Sequence, residues 1–333
     1  MRKELAEVFG ARVDAFVAAH REDLINFACE LVAAASPNPP GDERAAAAVA
    51  ERRLTMLGFR ERRIAGPRPE RANLICRYHT GRPGRTLLLN GHLDTKPAGD
   101  LAAWRSDTYL PTIQDGYLFG LGAADMKGPD AALVYGLAAV VAAAADTIVG
   151  QVLLILSADE EGQVLDGAGY LVQDVGLRAD AALIAEPCGI RQPWEMIPLI
   201  SRGFCAVRFV VEGTPTHSSI GEQLGAVNAS LEISRLLLFL RERLRLHHPA
   251  TPLCPQGPTI NLGATLRGGQ ALAIVSPMAE FTADIRTLPG MTKAGVAADI
   301  EASLAEFRLL RSGSDVGIQL GSPGMDRADA DRS

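Results

Sequence analysis

A chain of 333 residues exceeds what one hydrophobic core usually supports, so two domains are the starting expectation. Apolar residues make up 47% and charged residues 22%, a globular composition, and a net charge of −6 excludes the strong basic excess of a nucleic-acid binder. The one locally basic stretch, from Arg52 to Arg85, carries Glu61 and Glu70 among its arginines and reads as a solvated surface. Five scattered cysteines form no C-x-x-C pair, which suits free thiols in a reducing cytoplasm. The N-terminal MRKELAEVFGARVDAF breaks its apolar residues with charges and lacks the apolar core of a signal peptide. The apolar run from Ala131 to Ala145 is short and Ala-rich, so a buried helix is expected there and no membrane partner.

In chain order, helical periodicity runs from about Arg2 to Ala35 and stops at the SPNPPGD stretch, Ser36 to Asp42. A second helix is predicted from Glu43 to Leu57, ended by Gly58. Short apolar runs at Asn73–Tyr78 and Thr86–Asn90 read as buried strands. Helix Met126–Ala145, strand Gln151–Ser157, helix Ala168–Asp174 and strand Ala181–Ala185 follow. This alternation predicts an α/β domain over residues 1–197, with a mostly parallel sheet covered by helices on both faces. A second pattern then begins: strand Phe204–Glu212, helix Gly225–Leu246, strands Thr259–Leu266 and Met278–Leu288, helix Thr292–Leu310 and strand Val316–Leu320. That β-α-β-β-α-β order predicts an α+β domain over 198–321, with four strands and two helices on one face. Residues 322–333 read as a polar tail.

Four strand ends carry the chemistry. In LLLNGHLDT, His92 and Asp94 are two residues apart and so share a face, where an imidazole can bind a metal beside a carboxylate. In DGYLFGLGAADMKGPDAA, Asp125 precedes a helix; it either caps that helix or bridges cations with its two oxygens. Gly120 and Gly122 give the same stretch a partial dinucleotide fingerprint, but Asp125 stands at the third glycine position, where its charge would repel a pyrophosphate. In LLILSADEEGQ, Glu160 and Glu161 follow a strand, and in ALIAEPCG Glu186 follows the next. Each alone passes as an ordinary loop acid. Together they deliver one His and five acids to the carboxyl edge of one sheet, where α/β enzymes place their sites.

At these residues the chain resembles the M20 metallopeptidases and amidohydrolases, a family that includes acetylornithine deacetylase, succinyl-diaminopimelate desuccinylase, aminoacylase and glutamate carboxypeptidase. The motifs GHLDT, GLGAADMKG, SADEEG, AEP and GTPTHSS carry the resemblance, which extends over about Leu24–Gly321. It implies a metal-dependent hydrolase that cleaves the amide of an N-acyl amino acid or small peptide with metal-activated water. His92 and Glu186 would bind one metal, Glu161 the second, and Asp125 would bridge them. Asp94 would orient His92, and Glu160 would be the general base. A mixed His and carboxylate set suits Zn2+ first, with Co2+ or Mn2+ as alternatives. The second domain matches the family's dimerisation lid, which implies a homodimer. His217 in GTPTHSS would reach the partner's site to stabilise an oxyanion, and Arg286 in ADIRTLPG would hold a substrate carboxylate.

Two departures qualify these roles. Ala273 stands where the family carries an Asn that helps hold substrate, and no histidine follows His248, although the family supplies a last His to the second metal. The expectation is therefore a form shortened at its C-terminus, with two metals reduced to one. The rival readings are a catalytically weak homologue that still dimerises through its lid, and a nucleotide-dependent oxidoreductase.

Overall fold

The computed structural model describes residues 2–310, except 163, 190, 193, 194, 250 and 253, together with 318–321. The chain divides into two compact units, Met1–Ile197 and Pro198–Ser333. The polar tail at 322–333 and the first two residues of the predicted strand Val316–Leu320 lie outside the described residues.

The first unit opens with α1 (Arg2–Ala19), α2 (Arg21–Ala33) and α3 (Arg44–Met56). The single helical stretch expected up to Ala35 is broken at His20, whose ring stacks on Phe16 and whose Nδ1 donates to the Phe16 carbonyl. Strands β1 (Glu61–Ala65), β2 (Asn73–His79) and β3 (Thr86–His92) follow, then a small hairpin of β4 (Thr112–Gln114) and β5 (Tyr117–Phe119). The unit continues with α4 (Gly128–Ala144), β6 (Gln151–Ser157), α5 (Tyr170–Gln173) and β7 (Ala181–Ile184). Sequence periodicity missed β1, β4 and β5. β1 carries two arginines and a glutamate at a half-open edge, and the hairpin strands are three residues each, too short to show alternation.

The strand order is β1-β2-β6-β3-β7. β3 runs parallel to both β6 and β7, whereas β2 is antiparallel to β6 and β1 to β2. The sheet is thus mixed, a correction to the mostly parallel sheet expected. The links at 66–72 and 80–85 are too short for the crossover of a dozen or more residues that parallel strands need, so β1, β2 and β3 must alternate in direction.

Alternation across the strands covers both faces. Leu74, Cys76, Leu89, Leu154 and Leu156 pack with Phe27 and Leu31 of α2, Leu54 of α3 and Val134 and Tyr135 of α4. Ile75, Leu153 and Ile155 face the other way and meet Leu171 of α5. The buried Arg53 donates to Tyr135 Oη at 3.0 Å, pairs with Glu30 at 3.2 Å and lies over the Phe27 ring. Helix α4 is apolar enough to pass as a membrane span by composition, yet it packs against α1, α2 and β3 and buries Leu133, Val134 and Leu137 in this core. At the β7 edge the apolar side chains of Leu183 and Ile184 stay about half exposed, beside a groove of about 460 Å³ lined by Leu87, Leu137 and Val140.

The second unit has β8 (Gly203–Glu212), α6 (Ala229–Arg243), β9 (Thr259–Gly268), β10 (Met278–Thr287), α7 (Lys293–Leu310) and β11 (Ile318–Gly321). Its sheet has the order β11-β8-β10-β9, antiparallel throughout. Asn228 caps α6 by accepting the Leu231 N–H. Val207, Phe209, Val211, Phe281 and Ile285 face Ile233, Leu236 and Leu240 of α6 and Val296, Ile300 and Leu304 of α7. The opposite strand face carries Phe204, Arg208, Glu280, Asp284 and Arg286, alternating with that core.

Candidate metal centre

Register decides which side chains meet. β3 and β6 pair in parallel with His92 opposite Ser157, so the residues just past both strands, Asp94 on one and Glu160 and Glu161 on the other, emerge at one edge. β7 pairs with β3 with Asn90 opposite Ile184, and Glu186 follows two residues later. Asp125 arrives from an irregular turn at Ala123–Lys127, joined to Met126 by a cis peptide. Gly122 opens that turn at φ 79°, and a Cβ there would lie 2.5 Å from Thr95 Cγ2, so only glycine fits.

His92 Nε2 lies 3.1 Å from Asp125 Oδ1, 3.5 Å from Glu186 Oε1 and 3.9 Å from Glu160 Oε2. Ligand atoms about 2.0–2.1 Å from a tetrahedral zinc stand about 3.3 Å apart, so each of the first two separations is of the size that a pair of ligands on one cation shows. Glu161 also has a carboxylate oxygen within 4.8 Å of the ligand atoms of His92 and Asp125, while Glu160 groups with His92 and Glu186. The Gly-rich turn thus directs Asp125 to an imidazole, an arrangement suited to a cation and unsuited to a pyrophosphate.

Asp94 holds this edge together by a route the motif did not disclose. Its main-chain carbonyl accepts the His92 Nδ1 proton at 2.9 Å, while its carboxylate Oδ1 stands 3.5 Å from that nitrogen. The carboxylate instead accepts the Glu160 N–H on Oδ1 at 3.1 Å and the Glu161 N–H on Oδ2 at 3.0 Å. Burial pushes its pKa up, but the adjoining His92 ring, with hydrogen bonds from Asn38 and the Glu161 N–H, outweighs that and holds it low.

The remaining charges crowd one another. Burial disfavours the imidazolium of His92, yet hydrogen bonds to Asp125 and Asp94 and the charges of Asp94 and Asp130 raise its pKa to about 11. Glu186 is raised to about 7, first by burial and then, against the pull of His92, by Asp125, Glu160 and Glu161. Burial and crowding thus raise Glu186 and Glu160, while the His92 ring holds Asp125 low; a cation among them would relieve the repulsion. Sequence reasoning missed three charged neighbours. Lys96, directly after the GHLDT motif, pairs with Glu161 Oε2 at 2.9 Å. Lys127 is wholly buried, donates to the Ala34 carbonyl at 2.6 Å, and is lowered by burial to about 8. Asp130 is also wholly buried, and neither of its oxygens has a hydrogen-bond partner. Both Lys127 and Asp130 lie in the quoted DMKGPD run, where charged residues inside an apolar helix start were the available signal.

In the second unit His217 is exposed, and its Nδ1 accepts the Ser219 N–H at 3.2 Å and faces Ser219 Oγ at 2.8 Å. A main-chain N–H can only donate, so the neutral ring carries its proton on Nε2. Backbone bonds from Ser218 N–H to the Ala273 carbonyl and from Val275 N–H to the Thr216 carbonyl, both 2.9 Å, hold this loop. Ala273 itself sits at φ 64°, a left-handed conformation that Asn tolerates better than Ala. Arg286 is exposed, bonded to Asp284 at 3.0 Å and stacked over the Phe204 ring. Of the other histidines, His247 bonds to Asp299 and His79 lies near Glu61, outside the metal-binding groups of the described residues.

Residues 88–307 match the sequence profile of peptidase family M20/M25/M40, and the chain belongs to that family. Among curated relatives, succinyl-diaminopimelate desuccinylase of Phenylobacterium zucineum is 34% identical over 224 residues, covering 66% of this chain and 56% of that protein. The desuccinylase of Cereibacter sphaeroides is 30% identical over 308 residues, covering 90% of this chain and 75% of its own length. The chain spans about half the length of several such relatives, including 50% of the Methylibium petroleiphilum protein. Among solved structures, an M20 family metallo-carboxypeptidase from Sulfolobus solfataricus superposes with a TM-score of 0.68 at 16% identity, covering 90% of this chain and 78% of that one. Human carnosine dipeptidase 1 superposes at 0.64 with 18% identity, covering 96% and 79%. The structural likenesses show a shared fold.

Because a cation must displace the protons on His92 and Glu186, its affinity should rise with pH. Below about pH 7 two protons should leave per cation bound and above it one, since Glu186 titrates near 7 and His92 near 11. Calorimetric titration of zinc in buffers of different ionisation enthalpy measures this directly. An affinity that stays flat or falls as pH rises would contradict it.

Proposed function

We propose that this chain is a metal-dependent hydrolase that cleaves the amide bond of an N-acyl amino acid or small peptide. The observation that carries the reading is the spacing of His92 Nε2, Asp125 Oδ1 and Glu186 Oε1, at 3.1 and 3.5 Å, with Glu160 beside them at 3.9 Å. That set favours a working centre over a homologue that only dimerises. His92, Asp125 and Glu186 would hold the cation, with zinc best suited to one imidazole and two carboxylates. When bound, such a cation acidifies water and polarises a carbonyl.

The chain's own residues do the rest. Glu160 takes a proton from the attacking water and returns it to the departing amine. Burial raises its pKa, as do Glu161, Asp94 and Asp125 against the pull of His92, which moves it toward the working range of a base. The Nε2–H of His217 donates to the developing oxyanion, and we assign that donation to the neighbouring subunit of a homodimer formed through the second unit. Arg286 receives the substrate carboxylate in a planar fork, sharing its guanidinium with Asp284. Substrates of the succinyl-diaminopimelate type, named in the curated relatives, meet both demands: an amide to cleave and carboxylates to hold. The unpaired cysteines suit a cytoplasmic setting.

Glu160→Gln should leave zinc binding nearly intact and lower hydrolysis of an N-succinyl amino acid by about 10²–10⁴-fold. Loss of the metal in that variant would exchange the roles of Glu160 and Glu161. Metal analysis after dialysis should find one tightly held equivalent per chain, because Glu161 already engages Lys96. Two retained equivalents would show that Lys96 yields to a second cation. Sedimentation at micromolar concentration should show a dimer, and a monomer there would leave His217 without a target.

A further inference from the structure

Behind the acidic turn lies a buried network that none of the roles above uses. Arg71, in the loop before β2, is 8% exposed and meets four acidic or amide groups. Its Nη1 donates to Glu43 Oε1 at 2.9 Å, its Nη2 to Asn38 Oδ1 at 3.3 Å, and Nη2 also pairs with Asp159 Oδ1 at 3.3 Å; Nε lies 3.5 Å from Asp166 Oδ2. Gly41 makes room for it, since a Cβ at that position would lie 1.7 Å from Nη1. Asn38 carries the connection forward, donating from Nδ2 to Asp94 Oδ2 at 2.8 Å and to Asp159 Oδ1 at 3.1 Å.

Asp94 and Asp159 are the two supports of the turn that presents Glu160 and Glu161. Asp94 accepts both glutamate N–H groups. Asp159 immediately precedes them, at a left-handed φ of 58°, a conformation that Asp tolerates and that hydrogen bonds to its side chain stabilise here. Its carboxylate is held by Arg71, Asn38 and the Asp166 N–H, which donates to Asp159 Oδ2 at 3.2 Å. Glu43, Asp94 and Asp159 are each buried to 3% exposure or less, and Arg71 is the guanidinium set among them. Like charges packed this closely without a cation would spread apart. We propose that Arg71, acting through Asn38 and Asp159, is a positioning residue that fixes the Glu160–Glu161 turn against His92 and so sets cation affinity and the placement of the base. The proposal rests on the hydrolase reading above.

The test uses the full chain, stripped of metal and titrated with cobalt(II), reading the visible ligand-field spectrum, with zinc affinity from chelator competition. Arg71→Met, Arg71→Lys and the milder Asn38→Leu are compared with Arg53→Met. Arg53 is a similarly buried arginine of the same unit, paired with Glu30 and Tyr135, and serves as the control for simple destabilisation. Arg71→Met and Asn38→Leu should weaken zinc binding by about 10–100-fold and alter the cobalt spectrum. Arg71→Lys, which keeps the charge but loses the fork, should recover part of the affinity. Arg53→Met should lower the melting temperature without moving either readout. If Arg71→Met does not fold, Asn38→Leu and Arg71→Lys carry the comparison. Unchanged spectra and affinities in the network variants, or equal changes in Arg53→Met, would overturn the positioning role. A wild-type protein that shows no cobalt spectrum would overturn the hydrolase reading, and this proposal with it.

Discussion

The carboxylate of Asp94 is the fastening on which the site depends. It stands just past the end of β3 and binds the two N–H groups that follow β6, while its own carbonyl takes the ring proton of His92. Three neighbouring atoms of one residue thereby tie an imidazole to the turn that bears two glutamates. A buried anion is tolerated only when its hydrogen-bonding capacity is filled, and Asp94 meets that condition with donors that are themselves parts of the site. The consequence is preorganisation: the acids stand close together before a cation arrives, and the repulsion among them is the free energy that a cation relieves on binding.

Much of this was legible in the sequence because strand ends in a parallel arrangement are a linear code. GHLDT, SADEEG and AEP each mark where an apolar strand stops, and β3, β6 and β7 pair in parallel, so residues that follow them converge without further information. What stayed hidden was whatever depends on contacts across long stretches of chain. Asn38 meets Asp94 because Pro37 bridges Thr95 and the Asn38 N–H donates to the Thr95 carbonyl, a pairing over more than fifty residues. From sequence, SPNPPGD could be read only as the end of a helix. Arg71 was one arginine in a basic stretch whose other members are mostly surface residues, and only burial separates it from them. The antiparallel direction of β2 was missed for a related reason: hydrophobic pattern gives the existence of a strand, while its direction follows from the length of the links beside it.

The second unit keeps a backbone conformation that its residue does not favour. Ala273 occupies a left-handed position that Asn would adopt at less cost, and the loop bearing His217 is laced to it by main-chain bonds. The backbone is kept and the amide is absent. The outer sheet face carries Arg286 over the Phe204 ring, so among the described side chains that face presents a guanidinium stacked on an aromatic ring.

The strand order has a consequence for the order of events during synthesis. β2 and β3 are not hydrogen-bonded to each other; both pair with β6, which leaves the ribosome some sixty residues after β3. The β1–β2 hairpin can close at once, but His92 has no lattice to hold it until residue 157 has emerged, and Glu186 joins only when β7 docks on the far side of β3. Through that interval the nascent chain displays Leu87, Leu88 and Leu89 unpaired, a segment of the kind that holding chaperones recognise. The residues that could hold a cation therefore come together only when the last strand of this sheet has docked.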